Sequence, residues 1–152
     1  MSYLTIITLA DAKTYLRIDD TLTEDDANIT RMINASLSQI EVLTNHILYV
    51  REKDYLFVDC KVSVYDYPIN SVTAPTEDLT TVKKTLYNNY STSNSTQETL
   101  TLNVGYTDVS DVPQELVEVA YEMIEIMYPG TEKTTLSDLS KITISNYKRF
   151  LL

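Results

Sequence analysis

His46 is the only histidine and Cys60 the only cysteine of the chain, so the side chains most used for nucleophilic, acid–base and metal chemistry occur once each. A Ser-His-Asp or Cys-His arrangement would have to form around His46, with partners that no local spacing singles out. Cys60 has no C-x-x-C companion and cannot form an internal disulfide; in its strand-like context it reads as a small buried hydrophobe. Glu24, Asp25 and Asp26 could be imagined around a cation, but the ligand spacing of a calcium loop is missing and acids in a first helical turn are favoured by the helix dipole. Glycines stand only at 105 and 130, which rules out a Gly-rich phosphate loop. Tyr87 and Tyr90 follow Lys83-Lys84, a pattern that suggests base stacking, although with so acidic a chain strand packing and interface roles suit these rings better. The residues therefore support no enzyme, no metal and no cofactor.

The composition narrows the class. The chain has 152 residues, 43% hydrophobic and 22% charged, which suits one compact domain with a real core. A net charge of -10 and a pI near 4.4 exclude a protein that grips nucleic acid by neutralising phosphates. Acidity does not exclude one that DNA slides past. With no basic-then-apolar leader segment, the chain reads as cytosolic in origin, so the Asn-x-Ser/Thr triplets at Asn28, Asn34, Asn89 and Asn94 are set aside as glycosylation sites. No apolar run is long enough to span a membrane.

The elements that would position these residues follow from periodicity. Thr8 with Asp11 makes a capping box before a helix over about 9–17, with Leu9, Ala12 and Leu16 on one side. Thr23 and Asp26 start a longer helix over about 24–45, whose stripe is Ile29, Met32, Ile33, Leu37, Ile40, Leu43 and Ile47. Strands are expected over about 53–67, ended by Pro68, and over 81–104 as a pair, 81–88 with 98–104, joined by a polar projecting loop at 89–97. A third helix over 113–128 is entered through Pro113 and stopped by Pro129-Gly130. Residues 131–152 hold four of the twelve basic residues and read as a tail with one short element near its end.

The 113–128 helix is unusual. Glu115, Glu118, Glu122 and Glu125 fall in one narrow strip, and Leu116, Val117, Val119, Ala120, Tyr121, Met123, Ile124, Ile126 and Met127 cover the rest. Such a helix must be covered on several sides, by its own fold or by a neighbouring subunit.

Three ordered motifs carry a family resemblance. Residues 7–45, ITLADAKTYLRIDDTLTEDDANITRMINASLSQIEVLTN, hold a Leu-x-x-Ala-Lys-x-x-Leu-Arg-Ile pattern (Leu9, Ala12, Lys13, Leu16, Arg17, Ile18), an acidic linker, Asp26-x-x-Ile29, and a helix ending near Glu41-x-x-Thr44. YDYPINSV at 65–72 is a Tyr-Pro turn into a strand, and VGYTDVSDVPQELVEVAYEMIEIMY at 104–128 is a Gly-Tyr, a short loop, Val-Pro and a helix ending in Tyr. Together they resemble the head-tail connector (adaptor, head completion) proteins of tailed bacteriophages. The departure lies after Tyr128, where Pro129-Gly130 replaces the family's charged pair and residues 131–152 match poorly.

The resemblance implies an α+β, mainly α fold: two N-terminal helices and a long C-terminal helix, a small antiparallel β-sheet insertion and an extended C-terminal tail. Residues 1–130 would form a single connector domain and 131–152 a docking tail. It implies a structural virion protein, made in the host cytoplasm and placed in the neck. There it would form a homo-oligomer ring, of twelve subunits, under the portal protein, extend the DNA channel without specific DNA binding, and offer a surface to a neck, stopper or tail-completion protein. Glu115, Glu118, Glu122 and Glu125 are the candidate channel or ring-surface stripe; Lys148, Arg149 and Phe150 are the candidate portal-docking residues. Competing readings are a small acidic non-virion binding module that mimics DNA charge, and an enzyme with an unrecognised carboxylate site.

Overall fold

The computed structural model describes residues 2–149. They divide into two compact units interleaved along the chain, the first from residues 2–44 and 108–148, the second from 45–107 and 149. The fold is mainly helical α+β, as the family resemblance implied.

The first unit is helical. A short α1 (Tyr3–Ile6) precedes α2 (Leu9–Leu16), whose capping box forms: Thr8 Oγ1 accepts from Asp11 N at 3.1 Å and Asp11 Oδ2 from Thr8 N at 3.3 Å. Arg17 ends α2 in the left-handed region. α3 (Asp26–Thr44) buries Ile29, Met32, Ile33, Leu37 and Ile40 of the stripe that the spacing predicts, while Leu43 is half-buried and Ile47, beyond the helix, joins the core of the second unit. α4 (Gln114–Met127) buries Leu116, Val117, Val119, Ala120 and Ile124. It packs against the unit's own α2, α3 and the ten-residue α5 (Asp138–Tyr147), with Glu115, Glu118 and Met127 left exposed, each fully buried Leu or Ile contributing about 1.5–3 kcal/mol. Residues 131–152, expected as a tail with one short element near its end, carry α5, which packs on α3 and α4. Among the described residues no helix is long and apolar enough to cross a membrane.

The second unit holds two antiparallel three-stranded sheets, ordered β1-β6-β3 and β2-β5-β4. The strands are β1 (Arg51–Leu56), β2 (Lys61–Val64), β3 (Ile69–Ala74), β4 (Leu79–Lys83), β5 (Asn88–Thr92) and β6 (Thr99–Val104). β6 alternates, placing Leu100, Leu102 and Val104 in a core with Ile47, Val64 and Tyr90.

Three expectations need correction here. β4 pairs with β5, while β6 pairs with β1 and β3, so the predicted 81–88 with 98–104 pair does not form. The first four residues of the predicted 89–97 loop belong to β5, the central strand of its sheet, with Tyr90 and Thr92 buried, while 93–97 lie in the link to β6; the Asn, Ser and Thr side chains of β5 disguise a period-two pattern. Cys60 is a turn residue rather than a buried strand residue: Asp59 (φ 50°) and Cys60 (φ 61°) form a two-residue turn between Val58 and Lys61, on the way from β1 to β2, closed by reciprocal Val58 and Lys61 backbone bonds of 2.9 and 3.0 Å.

Candidate interaction surfaces

In the first unit the motif residues act as ties between helices. The Lys13 ammonium, 3% exposed, donates to the carbonyls of Asp20 (3.2 Å) and Leu22 (2.6 Å) and pairs with Asp26 at 2.5 Å. A buried cation is tolerable only when its donors and charge are matched in this way. Asp26 therefore holds Lys13 at the start of α3, and Asp25 accepts from the Tyr128 hydroxyl at 2.9 Å. Both serve helix contacts. Glu41, also buried, accepts from Tyr3 Oη at 2.7 Å, and Thr44 Oγ1 donates to the Ile40 carbonyl.

The four glutamates of α4 split into two pairs. Glu115 and Glu118 are exposed, accepting from Tyr147 Oη (3.2 Å) and Gln114 Nε2 (3.1 Å). Glu122, expected in a solvated strip, is instead 5% exposed. Its carboxylate takes the Ser137 N–H (2.7 Å), the Ser137 and Ser140 hydroxyls, and the Lys133 ammonium (2.8 Å). Burial alone would raise its pKa, but the hydrogen bonds from Lys133, Ser140 and Ser137 outweigh it and hold the value down at about 2. Half-buried Glu125 shares Lys133 at 3.3 Å and accepts from Tyr15 Oη at 3.3 Å. The spacing of the strip leaves one side of α4 open to water, whereas α5 docks there. The signal that was missed is Ser137-x-x-Ser140 ahead of an Ile-x-Ile run: Ser137 caps α5 by accepting from Ser140 N at 3.2 Å. α5 turns Ser140 and Ile144 inward and leaves Leu139 and Ile142 74% and 57% exposed.

In the second unit the Tyr-Pro and Gly-Tyr motifs meet. Gly105 N donates to the Pro68 carbonyl (2.9 Å), Asn70 Nδ2 to the Gly105 carbonyl (2.8 Å), and Tyr106 Oη lies 2.8 Å from His46 Nδ1. Glycine is required at 105, because φ is +104° and a Cβ would stand 2.2 Å from the Tyr49 carbonyl oxygen. His46 is buried, edge-on to Tyr67; burial, then Arg149, lowers its pKa to about 4, so it is neutral at pH 7. The imidazole serves as a packed, hydrogen-bonded ring.

Of the candidate docking residues, Lys148 caps the end of α5 in the first unit and Phe150 lies outside the described residues. Arg149 belongs to the second unit: its guanidinium stacks on Tyr67 at 4.4 Å and donates to the carbonyls of Tyr65 (3.4 Å) and Thr85 (3.5 Å). Burial lowers its pKa, opposed by Tyr67 and Tyr106. It lines a cavity of about 280 Å3 together with Lys83, Lys84, Asp66, Tyr67 and Asn88. Sequence reasoning did not join Arg149 to the Lys83-Lys84 pair. No group of three or more His, Cys, Asp or Glu residues that could hold a metal ion occurs among the described residues.

Two solved structures share the fold. A chain of the virion of the native gene transfer agent (GTA) particle superposes with a TM-score of 0.75 at 13% identity, covering 100% of this chain and 94% of that one. A chain from the neck of an empty GTA particle gives 0.76 at 13% identity, covering 97% and 92%. No curated protein matches significantly in sequence. The sequence profile of phage gp6-like head-tail connector proteins matches residues 6–113. That span holds the Lys13–Asp26 tie and the joined Tyr-Pro and Gly-Tyr motifs, and by it the chain belongs to the phage gp6-like head-tail connector family.

Proposed function

We propose that this structural connector assembles as a ring, of twelve subunits, beneath the portal of the filled head, extends the DNA channel and joins the capsid to a neck, stopper or tail-completion protein. The observation that carries the reading is the family match over 6–113. The likeness of fold to chains of a GTA virion and neck supports it, since it spans nearly the whole chain. An isolated subunit also leaves Leu56, Val58, Leu139 and Ile142 largely uncovered, as a subunit that waits for neighbours would.

Within such a ring Glu115 and Glu118 are the solvent-facing part of the acidic strip and line the channel or the outer ring surface. An acidic lumen repels the phosphate backbone, so DNA passes without sticking. Lys148 and Phe150 continue as portal-docking residues, while Arg149 is held against Tyr67. A ring in which Glu115 and Glu118 are buried between subunits would overturn the first assignment, and portal attachment that survives deletion of 146–152 the second.

The deciding experiment is native mass of the protein alone and mixed with the portal protein of its own phage. A ring-sized complex with the portal is expected. A small species in both samples would overturn the reading and favour a small acidic binding module.

A further inference from the structure

Three of the chain's twelve basic residues, Lys83, Lys84 and Arg149, line the cavity of the second unit. Among the described residues none of the three has a carboxylate partner: Arg149 has only a ring face and two distant carbonyls, and the ion pairs of the chain use other lysines. Asp66 also lines the cavity, but its Oδ2 is occupied by the Lys53 ammonium (2.6 Å) and the Tyr55 hydroxyl (2.5 Å). The cavity is thus a concentrated positive spot on a chain of net charge -10. Val64 and Ile69 add apolar wall beside the cations.

The chain also carries the complement. Residues 19–26, DDTLTEDD, put five acids into eight positions between α2 and α3. Asp26 is taken by Lys13, Asp25 by Tyr128, and Asp19 folds onto Thr21. Asp20 and Glu24 are exposed and have no side-chain partner among the described residues, and Leu22 between them is 57% exposed. Two free carboxylates flanking an exposed leucine match two free lysines beside apolar wall.

We propose that the Lys83/Lys84/Arg149 cavity of one copy receives the Asp20–Glu24 loop of a second copy, as a contact between neighbouring subunits. The patches are different surfaces of one chain, so the contact is head-to-tail, the kind that closes into a ring when the rotation permits. The proposal rests on the ring reading above and names the surfaces that meet. A protein partner suits the cavity better than a phosphate backbone, because the net charge of the chain opposes the approach of DNA.

The test is a charge swap in the full chain, read by native mass at low and high salt, alone and on portal rings. K83E/K84E and D20K/E24K should each abolish the ring species, and the chain carrying all four substitutions should restore it; far-UV circular dichroism confirms that the variants fold. High salt should weaken the wild-type ring by screening. If the wild-type chain forms portal-bound rings, rings that survive either reversal, or a fourfold variant that fails to recover them, would overturn this contact and leave the connector reading standing. A wild-type chain that neither self-associates nor binds portal would overturn both. Intact K83E/K84E rings that lose retention of a short DNA duplex would also overturn the contact and assign the cavity to phosphate.

Discussion

Replacing Glu122 with Gln tests whether a buried carboxylate holds α5 in place. The substitution keeps the shape, so no cavity opens, but it removes the charge that pairs with Lys133 and aims an amide donor among the N–H and O–H donors of Ser137 and Ser140. Breaking a buried pair costs about 3–5 kcal/mol. The Lys133 side chain is 34% exposed and can regain water, which puts the expected loss nearer 2–3 kcal/mol. Linkage gives a similar figure: lowering the pKa from 4.5 to about 2 corresponds to about 3 kcal/mol. The sign follows from the depressed folded-state value. Stability from Glu122 is fully present above pH 4.5 and lost as pH falls towards 2. Urea unfolding at pH 7 and pH 3 measures both effects, and hydrogen exchange over 138–147 reports release of α5. A loss under about 0.5 kcal/mol, the range of an ordinary surface change, would refute the reasoning. So would an acid-side slope unchanged in the variant.

Gly105→Ala should destabilise by more than about 2 kcal/mol in thermal unfolding, because φ is +104° and the added methyl meets the Tyr49 carbonyl. Lys13→Met, which leaves Asp26 without its cation, should cost about 3 kcal/mol in urea unfolding, whereas a solvated surface lysine would cost almost nothing. Cys60→Gly should stabilise by about 1 kcal/mol by relieving a left-handed residue at φ 61°, measurable as a rise in melting temperature under reducing conditions.

The helices α2, α3 and α4 are legible because capping and period agree there: the Thr8–Asp11 box forms, and the Ile29-to-Ile40 stripe is the buried face. β5 and α5 escape the same reading for opposite reasons. β5 is a strand built from polar residues, held by neighbours on both edges rather than by an apolar alternation. α5 buries Ser140 and exposes Leu139 and Ile142, so its hydrophobic pattern points away from the subunit core. The acidic strip was legible as a spacing but not as a surface. Whether Glu122 faces water depends on α5, whose contact with α4 is mediated by hydroxyls and a lysine that no periodicity rule weighs. Likewise Lys13 stands out in the motif, yet its partners are two loop carbonyls and an aspartate that only the folded chain assembles.

The interleaving of the two units bears on the order in which the chain folds. α3 and α4 pack together although the whole segment 45–107 lies between them, so that contact pays the entropy of closing a long loop. The second unit is contiguous over that segment, with the short-range β4–β5 pairing and the Val58–Lys61 turn to guide it. Once it is compact, its ends no longer wander as those of a free chain, and docking α4 on α3 becomes a shorter search. Substitutions in the sheets that never touch a helix should therefore slow the formation of the helical unit.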